Sequence, residues 1–326
     1  MSNNNSIIFG GSSHPELTKK ICDYLNKNGE GDFCGDVLIK NFPGGETYCQ
    51  YGDNIRGRDV YIVQSTHNPN SNWMELYLLV HTARLASANK IVVCVPYFSY
   101  ARQDRKAQPR SPISARLVLD LLVAAGANRV ITFDLHSLNT QGFSSIPLDS
   151  LLPCNLLIDY FKKNLIKNKK SLKKWILISP DVGGIKKIEK YSEVLGIDFG
   201  MVHKKRIGDE KVVQETLIGD VEGKNVLIID DMSESLGTIS GASRLLKSKG
   251  CKDIYAFVTH LPLTETGFKR LKEEKNVKKI LTTNSVPVNI NDDKVEVLDA
   301  APLFGEAISR TMNNKSISSL FQIKGF

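Results

Sequence analysis

The stretch VLIIDDMSESLGT, Val226 to Thr238, gathers residue types that can hold a sugar phosphate. Apolar Val226 to Ile229 lead into Asp230 and Asp231, and a small polar turn then ends at Leu236-Gly237-Thr238 before a helical pattern, ISGASRLLKSKG. Adjacent carboxylates accept hydrogen bonds from vicinal hydroxyls. A loop entering a helix offers free backbone N–H groups and the positive end of the helix dipole, which suit a phosphate. Taken alone, the residues also fit an ordinary strand-to-helix connection, with Asp231 as a cap and Gly237 permitting the turn.

Other polar groups stand where apolar runs end: Gly10-Gly11-Ser12-Ser13-His14, Tyr100 to Arg105, Asp134-Leu135-His136, Ser179 to Gly184, and His203 to Arg206. The elements before them are short apolar strands such as SIIFG, DVYIVQST, KIVVCVPYF, RVITFDLH and WILISPD. Between them lie helical patterns, among them Trp73 to Ser87, with Leu76, Leu79, Val80 and Ala83 on one face. DVLIKNF is read as a further strand and Cys154 to Ile166 as a helix. Alternation of this kind predicts α/β architecture with mostly parallel sheets flanked by helices. Ligands of such sheets sit outside the carboxyl ends of the strands, which is where the polar tips fall. So many tips in register point to a shared polyphosphate and metal site.

The chain has 326 residues, 41% of them hydrophobic and 24% charged, which fits a globular protein of two domains. No apolar run is long enough to span a membrane, and MSNNNS lacks the features of a signal peptide, so the expected compartment is the cytoplasm. The net charge of +8 is concentrated in Lys162, Lys163, Lys167, Lys169, Lys170, Lys173 and Lys174, read as a solvated face. No recognition helix or aromatic-rich RNA motif accompanies it, so nucleic acid is not an expected partner. Cysteines 22, 34, 49, 94, 154 and 251 show no paired spacing, which argues against a zinc ribbon and a disulfide framework.

Assembled in order, FGGSSHPEL, RGRDVYIVQS, YFSYARQDRK, PISARL, FDLH with QGF, SPDVGG, VHKKR, GDVEGK and DDMSESLGT resemble the ribose-phosphate pyrophosphokinase (phosphoribosyl pyrophosphate synthetase) family from about Ile7 to Phe321. The resemblance implies two similar domains of the type I phosphoribosyltransferase kind, residues 1–150 and 151–309, with residues 310–326 packing back on the first. It implies transfer of the β,γ-diphosphoryl group of ATP to the C1 hydroxyl of ribose 5-phosphate, giving phosphoribosyl pyrophosphate and AMP for nucleotide biosynthesis. By the same resemblance Mg2+ is the cofactor, associated with His136 and Asp181, and Lys204 and Arg206 are the catalytic pair. Phe42, Glu46, Arg102, Gln103 and His136 bind ATP, while Asp230, Asp231, Glu234, Ser235, Leu236, Gly237 and Thr238 bind ribose 5-phosphate. Phe42 and Glu46 serve a neighbouring subunit, which implies a homo-oligomer, at least a dimer and commonly a hexamer.

The chain departs from the family pattern in places. Glu234 and Ser235 replace an aspartate and a threonine, and Leu236 a smaller residue, which predicts a shifted loop and weaker ribose 5-phosphate affinity. Gly44 replaces a polar adenine contact, making ATP selectivity less secure than ATP binding. Gln141, Ser316, Ser318 and Phe321 match an allosteric anion site, but Leu138 and Ser150 stand where a serine and an asparagine are usual, predicting a reduced phosphate requirement. A non-catalytic regulatory subunit of the same family is the alternative. A phosphoribosyltransferase lacks the ARQDRK and SPDVGG set, and a dinucleotide-binding oxidoreductase needs a G-x-G-x-x-G that does not follow the first strand.

Overall fold

Continuous apolar runs form the central strands, because a strand covered on both faces needs no polar side to its pattern. The computed structural model describes residues 5–28, 33–166, 169–207 and 212–320. These fall into two compact units, one running to Leu152 and including Ser285–Pro287 and the segment from Ala300, the other comprising Pro153–Asn284 and Val288–Asp299.

In the first unit the chain order is β1 (Ser6–Gly10), α1 (Pro15–Asn28), β2 (Val37–Asn41), β3 (Thr47–Tyr51), β4 (Asp59–Val63), α2 (Pro69–Leu85), β5 (Lys90–Val95), α3 (Ser114–Ala125), β6 (Arg129–Phe133) and β7 (Leu148–Leu151). The order β1-β4-β5-β6-β7 makes an all-parallel sheet. Val92 to Val95 of β5 are completely buried; each such side chain contributes roughly 1.5 to 3 kcal/mol of transfer free energy. Strands β2 and β3 pair only with each other, as an antiparallel hairpin. The expected strand DVLIKNF is therefore one arm of a hairpin outside the parallel sheet.

One expectation is corrected here: Cys22 of α1 and Cys34 form a disulfide, with Cα atoms 6.0 Å apart. Phe33 to Gly35 lie along β1, where Ile8 N donates to Phe33 O (2.7 Å) and Gly35 N to Ile8 O (2.8 Å), and this sets Cys34 beside α1. The pairing depends on that tertiary return and leaves no mark in sequence spacing.

The second unit contains α4 (Cys154–Tyr160), continued by a π-helical turn, Phe161–Leu165. Then come β8 (Trp175–Ser179), α5 (Ile185–Leu195), β9 (Phe199–Ile207), β10 (Val212–Ile218), β11 (Asn225–Met232), α6 (Gly237–Ser248), β12 (Ile254–His260), α7 (Glu265–Glu273), β13 (Val277–Thr283) and β14 (Val295–Leu298). The sheet order is β10-β9-β8-β11-β12-β13-β14, parallel except where β10 meets β9. Of the lysine-rich segment, Lys169–Lys174 forms a 3-10 turn, and Lys167 lies outside the described residues.

The last helix, α8 (Ala301–Met312), belongs to the first unit, where Phe304 meets Phe133 edge-on at 5.6 Å between centroids. Tyr24 Oη donates to Glu306 Oε2 (3.2 Å), and the ring of Tyr24 covers Gly305 so closely that a Cβ there would lie 2.3 Å from Tyr24 Cδ1. Gly305→Ala gains up to about 1 kcal/mol of helix propensity but forces the anchored ring aside at about 1 to 3 kcal/mol. The expected outcome in thermal denaturation is a lowered midpoint; an unchanged or raised one contradicts this packing.

Candidate functional site

Asp230 and Asp231 stand at the carboxyl end of β11, the strand that pairs in parallel with β8 on one side and β12 on the other. Burial of Val226 to Ile229 fixes the strand, and parallel pairing brings the loop after β8, with Asp181, to the same sheet end. Burial first, then the charge and hydrogen bond of Asp231 and the charge of Asp181, push the Asp230 carboxyl well above the usual carboxylate range, with Lys187 opposing them. Asp231 N donates to Asp230 Oδ1 at 2.9 Å, which fixes the orientation of that carboxyl.

Beyond the carboxylates the chain turns through Ser233 to Leu236. Leu236 N donates to Ser233 Oγ (3.1 Å) and Gly237 N to Ser235 Oγ (3.4 Å), and Gly237 opens α6. Leu236 has a left-handed backbone (φ 55°) and a buried side chain packed in the apolar core. It therefore presents its backbone, and not its bulk, to whatever the loop holds. Glu234 is exposed, and Ser235, Gly237 and Thr238 are half-buried.

The loop after β8 is tied to itself. Ser179 Oγ donates to Asp181 O (2.7 Å), Gly184 N donates to Asp181 Oδ1 (3.1 Å), and a Cβ on Gly184 would fall 2.4 Å from Ser179 Oγ. A larger residue in place of Gly184 would displace the Ser179 hydroxyl from its bond to Asp181 O, and with glycine there the exposed Asp181 carboxylate is held in place. Lys204 and Arg206 lie on β9, in register with Glu215 and Val213 of β10, and their side chains lie outside the described residues.

In the first unit, β6 is followed by Asp134, buried and left-handed (φ 45°), and the next backbone N–H, of Leu135, donates to Ser150 Oγ (3.2 Å). That tie presents His136 at the surface. Gln103 Oε1 accepts from Ser114 Oγ (2.6 Å) and Gln103 O accepts from Ala115 N (3.2 Å), so Gln103 braces the start of α3, while Arg102 beside it is exposed. Phe42 and Glu46 flank the β2-β3 turn, closed by Phe42 N donating to Glu46 O (2.8 Å). Phe42 is 45% exposed, with Lys40 Nζ 5.5 Å from its ring centroid, and a Cβ on Gly44 would meet nothing within 4 Å.

Gln141 is exposed on the 3-10 turn Leu138–Phe143, and Leu138 is half exposed. Ser316 and Ser318 share a hydrogen bond (3.0 Å) and line a cavity of about 340 Å³ with Lys90, Arg129, Thr311, Asn314, Lys315 and Ile317. Phe321 lies outside the described residues.

Sequence reasoning missed the buried support beneath the first polar tip. Glu75, from the apolar face of α2, accepts from Ser12 N (2.7 Å), Ser12 Oγ (2.5 Å) and Gln64 Nε2 (2.8 Å), and Gln64 accepts from Ser13 Oγ (2.6 Å). The available signal was an acid inside the helical stripe WMELYLLV. Among the described residues no group of three or more His, Cys, Asp or Glu is arranged to hold a metal unaided, and no helix is long and apolar enough to cross a membrane.

Two α/β units with polar loops at the carboxyl ends of parallel strands, one carrying a carboxylate pair ahead of a helix-start loop, define a protein of the type I phosphoribosyltransferase-like class. Residues 6–126 match the N-terminal domain of ribose phosphate pyrophosphokinase, and residues 204–322 the phosphoribosyl synthetase-associated domain. The chain is 40% identical over 315 residues to a ribose-phosphate pyrophosphokinase of Wolinella succinogenes, covering 96% of this chain and 98% of that one. It is also 40% identical over 316 residues to one of Aquifex aeolicus, covering 96% and 98%. The phosphoribosylpyrophosphate synthetase structure of Mycobacterium smegmatis superposes with a TM-score of 0.87 at 32% identity, covering 95% of this chain and 99% of that one. The chain belongs to the ribose-phosphate pyrophosphokinase family.

The environment of Asp230 gives a signed prediction. A carboxyl raised on folding stabilises the fold at low pH, and that contribution is lost as pH rises from the unfolded pKa through the folded one. Asp230→Asn removes the repulsion, so its thermal midpoint relative to wild type should increase as pH rises from acidic to neutral. A difference independent of pH contradicts the assigned environment.

Proposed function

We propose that this chain is a ribose-phosphate diphosphokinase, forming phosphoribosyl pyrophosphate and AMP from ATP and ribose 5-phosphate. The observation that carries the reading is the conjunction, within one unit, of Asp230 and Asp231 with the helix-start loop Ser235 to Thr238, in a chain of this family. The carboxylates suit the sugar hydroxyls and the loop suits the 5-phosphate. The C1 hydroxyl oxygen forms a bond to the β-phosphorus and gives up its proton to water, the bond from that phosphorus to the oxygen bridging the α-phosphorus breaks, and AMP leaves with that oxygen.

Phosphoryl-type transfer depends on positioning and charge neutralisation, for which Lys204 and Arg206 are the proposed cations. Mutual repulsion among Asp230, Asp231 and Asp181 fits a site that receives a divalent cation. Mg2+ favours oxygen ligands and keeps several waters, so few protein ligands would be needed; His136 in the first unit and Asp181 in the second are each proposed as Mg2+-associated residues. It supplies neutralisation of the polyphosphate charge. Arg102, Gln103 and His136 are proposed for ATP. The exposed Phe42 ring and Glu46 are proposed to serve the adenine of a neighbouring copy, making the enzyme a homo-oligomer. Gln141, Ser316, Ser318 and Phe321 remain the proposed anion-responsive group.

Purified protein incubated with ATP, Mg2+ and ribose 5-phosphate should yield AMP and phosphoribosyl pyrophosphate in equal amounts. ADP as the nucleotide product contradicts diphosphoryl transfer, and an absence of product across phosphate concentrations favours the regulatory-subunit reading. Lys204→Ala should lower kcat by roughly 10²- to 10³-fold with a smaller change in the KM for ribose 5-phosphate. Near-normal turnover removes Lys204 from the reaction.

A further inference from the structure

We infer that Arg270 is a positioning residue for the ribose 5-phosphate loop, acting through the carbonyl of Ser235; the inference rests on the ribose 5-phosphate reading of that loop. Helix α7 and the residue before it grip two consecutive carbonyls. Thr264 donates to Glu234 O from its backbone N (2.9 Å) and its Oγ1 (3.1 Å), and Arg270 Nη1 donates to Ser235 O (3.0 Å). In a trans peptide the C=O and the following N–H point in opposite directions. Turning the Glu234 and Ser235 carbonyls toward α7 therefore turns the N–H groups of Ser235 and Leu236 away from it, the second of them onto Ser233 Oγ (3.1 Å) within the loop. The clamp sets the orientation of the loop's donors.

The fit against α7 is close. A Cβ on Gly267 would lie 2.4 Å from Glu234 O, so a larger residue there would push the loop away. The side chain of Thr264 also accepts from Gly267 N (3.3 Å), capping α7 with the hydroxyl that grips the loop. Leu236, next in the chain, holds a left-handed backbone (φ 55°), which an L-residue keeps only where its surroundings enforce it. Its buried side chain supplies one restraint and the Arg270 bond to the preceding carbonyl supplies another.

Charge gives the arrangement its direction. The Arg270 guanidinium lies 2.9 Å from where a Cβ of Gly237 would sit, against the first residue of α6. A cation at the positive end of a helix dipole is unfavourable in an empty loop and becomes favourable when an anion enters it. A clamp needed only to tie α7 to the sheet would do as well with a neutral donor. In sequence Arg270 is one of several basic residues in FKRLKEEK, and a basic residue near a helix end ordinarily interacts with that helix's own terminus.

The test compares Arg270→Ala and Arg270→Lys in steady-state kinetics, with ribose 5-phosphate binding in the presence of Mg2+ measured separately by calorimetry. Arg270→Ala should raise the KM and the dissociation constant for ribose 5-phosphate about tenfold, with kcat within about twofold and the KM for ATP unchanged. Arg270→Lys keeps the charge and a donor and should recover most of the loss. If Arg270→Ala does not fold, Thr264→Val, which removes the side-chain donor to Glu234 O together with the cap on Gly267 N, should give a lowered thermal midpoint and a smaller rise confined to the same KM. An unchanged ribose 5-phosphate KM overturns the inference, as does an equal loss in kcat and both KM values that lysine fails to recover. Wild-type protein that makes no AMP and binds no ribose 5-phosphate fails the underlying reading instead.

Discussion

Repulsion among carboxylates gathered at one end of a parallel sheet is the constraint on which the rest of the second unit depends. Asp230 is half-buried with Asp231 next to it and Asp181 at the same strand ends, so the folded chain carries an electrostatic cost with no benefit to stability. That cost persists because Val226 to Ile229 are sealed between β8 and β12 and cannot slip without exposing their side chains. The same topology puts a helix-start loop, with the opposite electrostatic preference, directly after the carboxylates. A ligand satisfying both must bring hydroxyls or a cation to one end and an anion to the other. Ribose 5-phosphate with a divalent cation meets that description.

Several polar tips are held in place by hydrogen bonds from neighbouring groups. Glu75 and Gln64 brace Ser12 and Ser13 from beneath; Ser150 fixes the backbone that presents His136; Ser179 and Gly184 shape the turn at Asp181; Thr264 and Arg270 hold the loop before α6. Leu236 and Glu234 of the loop also acquire a physical location. Leu236 packs into the core and leaves the loop's polar surface to backbone groups and Ser235, while Glu234 is exposed with its carbonyl gripped from α7.

Much of this was legible in the sequence because burial on both faces writes itself as an uninterrupted apolar run. KIVVC and VLII became central strands, and the polar residues just beyond them fell at strand ends as the parallel topology requires. The antiparallel pieces were harder to read. TYCQY and VVQETLI mix polar and apolar residues with no regular period, like any exposed segment, and they are strands only because β2 and β9 pair with them. The Cys22–Cys34 bond depends on residues 33 to 35 returning along β1, and Gln103 bracing α3 depends on which side chain its amide oxygen meets. Loop-holding residues such as Arg270 and Glu75 are ordinary helix residues in sequence, and only the packed structure shows what their side chains reach.

The central claim is that Asp230 and Asp231 anchor ribose 5-phosphate. Calorimetric titration of ribose 5-phosphate, with Mg2+ present, into wild-type protein and into the folded Asp230→Asn, Asp231→Asn double variant tests it most directly. The account predicts saturable binding to one site per chain in the wild type and loss of that binding in the double variant. Equal binding by both proteins would contradict it.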